Sequence, residues 1–313
     1  MLKRLGAVVR SPVTRWAFLA AAIGLAIWGV AASWDQVTQA WARLSPLALA
    51  GAAVVSVASA CFMGLAWRAV LTDLGSRLPL GVATSVFGLS QLGKYLPGGV
   101  WNVVAAAELG ADHRIPRWRS VGAMALAVSV SLATGVAAGA LAIVQTGPSR
   151  LGAWSWALLA GPLALGLMAP PVLNRLVTWA LRIVHAPGIE RGVSWRGLGV
   201  AAGWSCAGWA AAGLGVWLLA TGMGLEATAG TLSLSVGAYA LAWVVGFLVV
   251  VAPAGVGARE GVLLALFSGV MPAGQVLVVV LMSRILLTAA DLLLAGLGGW
   301  LAARRRRGVA RSA

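Results

Sequence analysis

Long apolar runs separated by short polar clusters dominate the chain. Six of these runs approach or exceed the roughly 20 residues that an α-helix needs to cross a bilayer. They predict spanning helices at about 16–34, 47–67, 120–145, 153–173, 197–221 and 275–301. This pattern is typical of an all-α polytopic membrane protein, for which lipid is the main solvent.

Two further apolar runs, 79–110 and 228–273, are interrupted by helix-breaking residues. The first contains KYLPGGVW at 94–101, and the second contains APAGVGAREG at 252–261. Proline removes a backbone donor and glycine permits a sharp turn. A membrane tolerates a broken helix only where protein or water covers the break. We therefore predict two hairpins, named hairpin one (79–110) and hairpin two (228–273), each either re-entrant or made of two crossing helices.

The basic residues are distributed unevenly among the loops. Clusters of Lys and Arg mark cytoplasmic segments, and eighteen of the 23 basic residues fall in segments that this rule assigns to the cytoplasm. The N-terminus and the basic tail, 302–313, are therefore both predicted to be cytoplasmic. Hairpin one then begins and ends on the cytoplasmic side, whereas hairpin two begins and ends outside.

The order helix, helix, hairpin, helix occurs twice, and the second copy starts from the opposite side of the membrane. Many secondary transporters are built from such inverted repeats. We predict a single integral membrane domain over 1–313, with repeat one at about 16–145 and repeat two at about 153–301. It has about eight membrane segments, comprising six spanning helices plus two broken or re-entrant hairpins.

The composition and the charge of the chain argue against several classes of protein. With 60% hydrophobic and 10% charged residues, the chain has no long polar stretch for a separate soluble domain. Its net charge of +15 lies in short inter-helix clusters, which favours topology signals over nucleic-acid binding. The two histidines show no metal-ligand spacing, and no nucleophile elbow or P-loop occurs. We expect no metal, no cofactor, no catalytic residue and no enzymatic activity.

Ionisable residues within the membrane segments are the best candidates for a binding site, because a charge at depth is costly. We expect Glu260 to pair with Arg284, and either Arg259 or Lys94 to pair with Asp291. Such pairs could be structural ties between hairpin two and the last helix, and Lys94 could instead extend to interfacial water.

Two more polar residues lie on the second arm of hairpin one. Asn102 and Glu108 could line one cavity, although Asn102 also suits a helix-packing hydrogen bond. The full candidate substrate-binding set is Lys94, Tyr95, Pro97, Gly98, Gly99, Trp101, Asn102, Glu108, Pro253, Gly255, Gly257, Arg259, Glu260, Arg284 and Asp291.

Three motifs, GLSQLGKYLPGGVW, PAGVGAREGVLLALF and SRILLTAADLLLAG, resemble the lysylphosphatidylglycerol synthase transmembrane region family, also called the flippase-like domain family. That family includes the N-terminal flippase half of the multiple peptide resistance factor. The resemblance implies a multi-pass bacterial inner-membrane protein that moves lipid. The chain ends soon after the last predicted helix, so we expect no aminoacyl-transfer domain.

The resemblance and the hairpins together predict a flippase or transporter for an anionic phospholipid or a polyprenyl-phosphate lipid. The headgroup would enter a cavity between the hairpins while the acyl chains stay in lipid. A small-solute or ion transporter is one alternative, and a non-transporting membrane partner of a glycosyltransferase or synthase is another. A homodimer or a biosynthetic partner protein also stays open.

Overall fold

The computed structural model describes residues 45–95, 101–145, 162–163, 166, 168–183, 192–249 and 257–312. The predicted helix 16–34 lies outside these residues, as does most of the predicted helix 153–173. The described part of the chain is helical, and its only extended pairing is an isolated bridge between Ser268 and Met271.

Nine α-helices are described, and they are numbered here in chain order. They are α1 Pro46–Asp73, α2 Leu80–Gln91, α3 Trp101–Ala111, α4 Arg117–Gln145, α5 Pro170–Ile183, α6 Trp195–Thr221, α7 Ala229–Leu248, α8 Ala258–Phe267 and α9 Ala273–Ser312. A 3-10 turn, Leu92–Tyr95, follows α2 directly.

Five helices, α1, α4, α6, α7 and α9, are long and apolar enough to cross a membrane. Four of them confirm the spanning helices predicted at 47–67, 120–145, 197–221 and 275–301. The fifth, α7, is the first arm of hairpin two. The chain is an all-α polytopic membrane protein.

The other hairpin arms are too short to cross. At 1.5 Å per residue, α2 and α3, with 12 and 11 residues, extend only about 18 and 16 Å. The ten residues of α8 extend about 15 Å. A bilayer core is about 30 Å thick, so hairpin one has re-entrant dimensions, while hairpin two combines a spanning arm with a short one.

Helix packing is reciprocal between the two halves of the chain. Helices α1 and α6 pack along each other, one from each predicted repeat. The first arm of hairpin one, α2, packs on α9, and the first arm of hairpin two, α7, packs on α4. Each hairpin therefore lies against the last helix of the other half, as expected for two repeats related by a two-fold axis. The repeat boundaries themselves stay a prediction.

Small residues and hydroxyl groups allow the helices to approach closely. Ser59 on α1 donates to the carbonyl of Gly208 on α6 at 2.9 Å. The indole of Trp209 donates to Thr134 on α4 at 3.0 Å. Interhelical hydrogen bonds of this kind and small side chains are the usual basis of helix association in lipid.

Polar contacts join several loops at one end of the helices. The carboxylate of Asp73 accepts hydrogen bonds from the backbone N–H and the hydroxyl of Ser194, at 2.6 and 2.8 Å. Arg119 donates to Ser76 at 3.0 Å. The charge pattern assigns all these loops to one side, and the structure brings them together. Which side of the membrane this end faces stays a prediction.

Helix α5 corrects the expectation of a loop after residue 173. It continues to Ile183 because it is amphipathic rather than uniformly apolar. Leu173 packs in the core, Asn174 exchanges two hydrogen bonds with the backbone of Val193, and Arg175 is exposed. A search for continuous apolar runs does not detect such a helix.

Candidate functional site

Helix α9 carries two charges deep in the membrane. The Arg304 guanidinium lies 4.1 Å from the centroid of the Trp300 ring. Trp300 marks the place where the apolar part of the helix gives way to the basic tail. Asp291 is nine residues earlier, or about 13 Å, and Arg284 lies about 10 Å beyond it. Both charges lie within the 33-residue candidate membrane span of α9, Ala273–Arg305, and away from its two ends.

The end of hairpin one contacts Asp291. The Lys94 ammonium lies 2.5 Å from one carboxylate oxygen of Asp291, and the Tyr95 hydroxyl donates to the same oxygen at 2.6 Å. Tyr95 also lies near the side chain of Thr288, one turn away on α9. The side chain of Asp291 is only 9% exposed, whereas that of Lys94 is 36% exposed. Of the two partners predicted for Asp291, Lys94 is therefore the one observed.

The start of α8, in hairpin two, contacts Arg284. One oxygen of Glu260 accepts the backbone N–H of Gly257 at 2.6 Å, which caps the helix N-terminus. The other oxygen accepts a hydrogen bond from the Arg284 guanidinium. Gly257 has a φ of 87°, a conformation that other residues rarely adopt. The predicted Glu260–Arg284 pair is confirmed, and the glycine sets the turn that directs Glu260 toward α9.

Arg259 binds a buried tyrosine. Its guanidinium donates to the Tyr239 hydroxyl and lies 4.6 Å from the centroid of the same ring. Arg259 is also close enough to Tyr95 for an electrostatic interaction, as are Asp291 and Arg284 to Tyr239. The two sets of contacts therefore lie near each other, and together they are called the charged cluster. Its members are Lys94, Tyr95, Tyr239, Arg259, Glu260, Arg284 and Asp291.

Tyr239 is the member of the charged cluster that the sequence analysis did not select. The chain has only two tyrosines, Tyr95 and Tyr239, and each lies in the first part of a hairpin. Buried tyrosine hydroxyls generally need a hydrogen-bond partner. The scarcity of tyrosine in this apolar chain was the available signal.

The described side chains of the charged cluster carry one net positive charge. Three cations face two carboxylates, and Lys94 and Arg284 each contact one of those carboxylates. The partner described for Arg259 is a neutral tyrosine. An unbalanced charge within a membrane-spanning segment is costly, so the cluster is suited to bind an anion.

Glu108 lies outside the charged cluster. It is exposed and accepts two hydrogen bonds from Arg117, at 2.8 and 2.7 Å, which lower its pKa below the usual value. Helix α3 is so short that Glu108 lies beside the polar turn before α4, within reach of Arg117. The structure therefore does not show the cavity that Glu108 and Asn102 were predicted to share.

Two of the remaining candidates, Trp101 and Asn102, are at the start of α3. Trp101 is 47% exposed, and the backbone of Asn102 packs closely against Gly93. The other candidates, Pro97, Gly98, Gly99, Pro253 and Gly255, lie outside the described residues. Within the described ranges, no group of three or more His, Cys, Asp or Glu side chains could hold a metal ion.

Comparison with known families gives one match. The family model described as "Lysylphosphatidylglycerol synthase TM region" matches residues 16–295, which covers both hairpins and the whole charged cluster. No curated protein matches the chain. The matched region includes most of the chain, and the chain therefore belongs to the lysylphosphatidylglycerol synthase TM region family.

Proposed function

We propose that this protein moves an anionic lipid, either a phospholipid or a polyprenyl phosphate, between the two leaflets. The observation that carries the proposal is the charged cluster, because it has one net positive charge, includes residues of two candidate membrane spans and draws residues from both hairpins. The family supports a membrane protein of the flippase-like kind.

The headgroup would bind where the hairpins meet. Lys94, Arg259 and Arg284 would attract its phosphate, while the acyl chains remain in the surrounding lipid. Without a headgroup, Asp291 and Glu260 hold two of these cations in place. Because both carboxylates already contact a cation, the described side chains leave a net positive charge for the headgroup to neutralise. The proposed activity is transfer between leaflets, without covalent chemistry.

The proposal also includes the orientation of the protein in the membrane. We place the protein in a bacterial inner membrane with both termini in the cytoplasm, as the distribution of basic residues favours. Hairpin one would then admit the headgroup from the cytoplasmic side and hairpin two from the external side. Both would lead to the same charged cluster.

Lipid movement by purified protein in proteoliposomes tests the proposal. Fluorescent phosphatidylglycerol and a fluorescent polyprenyl phosphate would be compared with fluorescent phosphatidylcholine, by the fraction that becomes accessible to an external quencher. Arg259→Gln should slow movement of an anionic lipid by about tenfold or more. It removes the positive charge that has no described carboxylate partner and is therefore free to attract the headgroup. Arg175→Gln is the matched control, since Arg175 is exposed on α5 and outside the cluster.

Two outcomes would contradict the proposal. If Arg259→Gln moves the anionic lipids at the wild-type rate, the charged cluster is not the headgroup site. If the folded wild-type protein moves neither anionic lipid, it is not a flippase for these lipids. The second result would favour a small-solute transporter or a non-transporting partner subunit.

A further inference from the structure

We infer that the Glu260 carboxylate occupies the place on Arg284 that the substrate phosphate takes, so that Glu260 and the headgroup compete for one guanidinium. This inference rests on the proposed function, and it states which group binds Arg284 when no lipid is bound. Glu260 is then a built-in competitor as well as part of a structural ion pair.

The geometry around Tyr239 brings two arginines to one place. Arg259 donates to the Tyr239 hydroxyl, and Arg284 is near enough to interact with the same tyrosine. Guanidinium groups bind phosphate with parallel N–H donors. The carboxylate of Glu260, adjacent to Arg259 in the chain, is the anion that now contacts Arg284.

Glu260 is able to leave Arg284 at limited cost. Its second oxygen accepts the Gly257 N–H at 2.6 Å, at the positive end of α8. If a phosphate displaces it from Arg284, the carboxylate retains this cap and stays stabilised. Its side chain is also 22% exposed, which leaves room for movement.

Asp291 differs from Glu260 in its exposure and in the hydrogen bonds that would remain if it lost its cation. Its side chain is 9% exposed, and one of its oxygens accepts from Tyr95 while also contacting Lys94. Losing Lys94 would leave a buried carboxylate with a single described donor. The competition is therefore assigned to the Glu260–Arg284 pair and not to the Lys94–Asp291 pair.

Competition within the site has a use in transport. A headgroup bound to uncompensated arginines in a low-dielectric site would be held tightly and would leave slowly. A resident carboxylate that returns to Arg284 weakens binding and assists release into either leaflet. A purely structural ion pair predicts the reverse, because its loss would disorder Arg284 and weaken anion binding.

The test is lipid binding by Glu260→Gln protein in nanodiscs of zwitterionic lipid. The glutamine carbonyl can still accept the Gly257 N–H, but it carries no charge to neutralise Arg284. The probe is short-chain dihexanoyl phosphatidylglycerol, with dihexanoyl phosphatidylcholine for comparison. We expect the dissociation constant for the anionic probe to fall roughly tenfold, as for loss of one charged hydrogen-bonding competitor. Binding of the zwitterionic probe should not change.

The matched control is Glu108→Gln. Glu108 also pairs with an arginine, Arg117, but it is exposed and lies outside the charged cluster. This variant should bind the anionic probe as the wild type does. Unchanged or weaker anionic binding by folded Glu260→Gln protein would overturn the inference, and so would equal tightening in Glu108→Gln.

A second variant covers the case in which Glu260→Gln does not fold. Glu260→Asp keeps the charge but is one methylene shorter, so it cannot reach Gly257 and Arg284 as well together. Its dissociation constant for the anionic probe should fall about threefold, and an unchanged value would overturn the inference. Lipid movement by the wild type is a separate measurement. Tighter binding without movement would refute the proposed function alone, whereas movement without tighter binding would refute this inference alone.

Discussion

The close packing of hairpin one on α9 gives a sharp stability prediction. A Cβ added at Gly88 would lie 2.5 Å from the carbonyl oxygen of Leu294. Ordinary contacts to carbon begin near 3.5 Å, so Gly88→Ala must separate the two helices by roughly 1 Å. Both groups in the clash are close to backbone, and no side-chain rotamer can relieve it.

The matched variant is Gly296→Ala. Gly296 lies on α9, two residues from Leu294, and a Cβ there meets nothing within 4 Å. Both substitutions replace a glycine inside a helix, so both share the gain of about 1 kcal/mol in helix propensity. The difference between them isolates the cost of overpacking, which is about 1–3 kcal/mol.

Thermal stability in detergent measures this difference. Each variant would be heated, and the fraction still eluting as monodisperse protein would be followed by size-exclusion chromatography. Gly88→Ala should unfold at a lower temperature than wild type, and Gly296→Ala at the same or a higher temperature. If Gly88→Ala is as stable as Gly296→Ala, the packing of hairpin one on α9 is not as described.

The same substitution should also affect transport. Asp291, which contacts Lys94 at 2.5 Å, lies one turn before Leu294 on α9, and Lys94 lies in the 3-10 turn that follows α2. Separating α2 from α9 lengthens this contact and leaves Asp291 less well compensated. Folded Gly88→Ala protein should therefore move anionic lipid more slowly than folded Gly296→Ala protein.

Two further predictions concern the ion pair and the orientation. Asp291→Asn should lower stability by about 2–3 kcal/mol, less than the 3–5 typical of a fully buried pair, because the Lys94 side chain is 36% exposed. Adding Lys94→Met should recover part of this loss in a double-mutant cycle, and additive losses would refute the pairing. In a cysteine-free background, a single cysteine at the exposed position 113 should react with a membrane-impermeant reagent only from the cytoplasmic side, and one at the exposed position 227 only from outside. The opposite pattern would refute the proposed orientation.

Most of the described fold could be predicted from hydrophobicity, because an apolar run of about 20 residues in lipid almost always forms a spanning helix. The turn at Gly257 was predictable because the effect of glycine on backbone conformation is local, whereas the prolines of both predicted breaks lie outside the described residues. Helix α5 was not predictable, because amphipathic helices at an interface contain too many polar residues for a search based on apolar runs. Asn174 of this helix hydrogen-bonds the backbone of Val193, which is nineteen residues away in the chain.

The site was partly predictable for a different reason. The paired charges could be matched by sign, since an ionised group within a membrane is stabilised by a partner of opposite charge, and the chain has only eight Asp and Glu residues. Glu108 was misplaced because its partner depends on the length of α3 and not on charge. The pairing of Arg259 with Tyr239 was not predictable because it joins two hairpin arms whose relative position is set only by tertiary packing.

Helix α9 explains why the charges meet where they do. Its first half packs with α8 in a hydrophobic cluster that includes Val276, and its second half packs with α2 through Leu294. Arg284 and Asp291 lie at the change from one hairpin to the other, and they have opposite signs. Each hairpin accordingly brings the opposite charge, and the described cation left without a carboxylate is Arg259. A headgroup arriving along either hairpin would therefore reach the same excess positive charge, which is the electrostatic condition for one site to serve both leaflets.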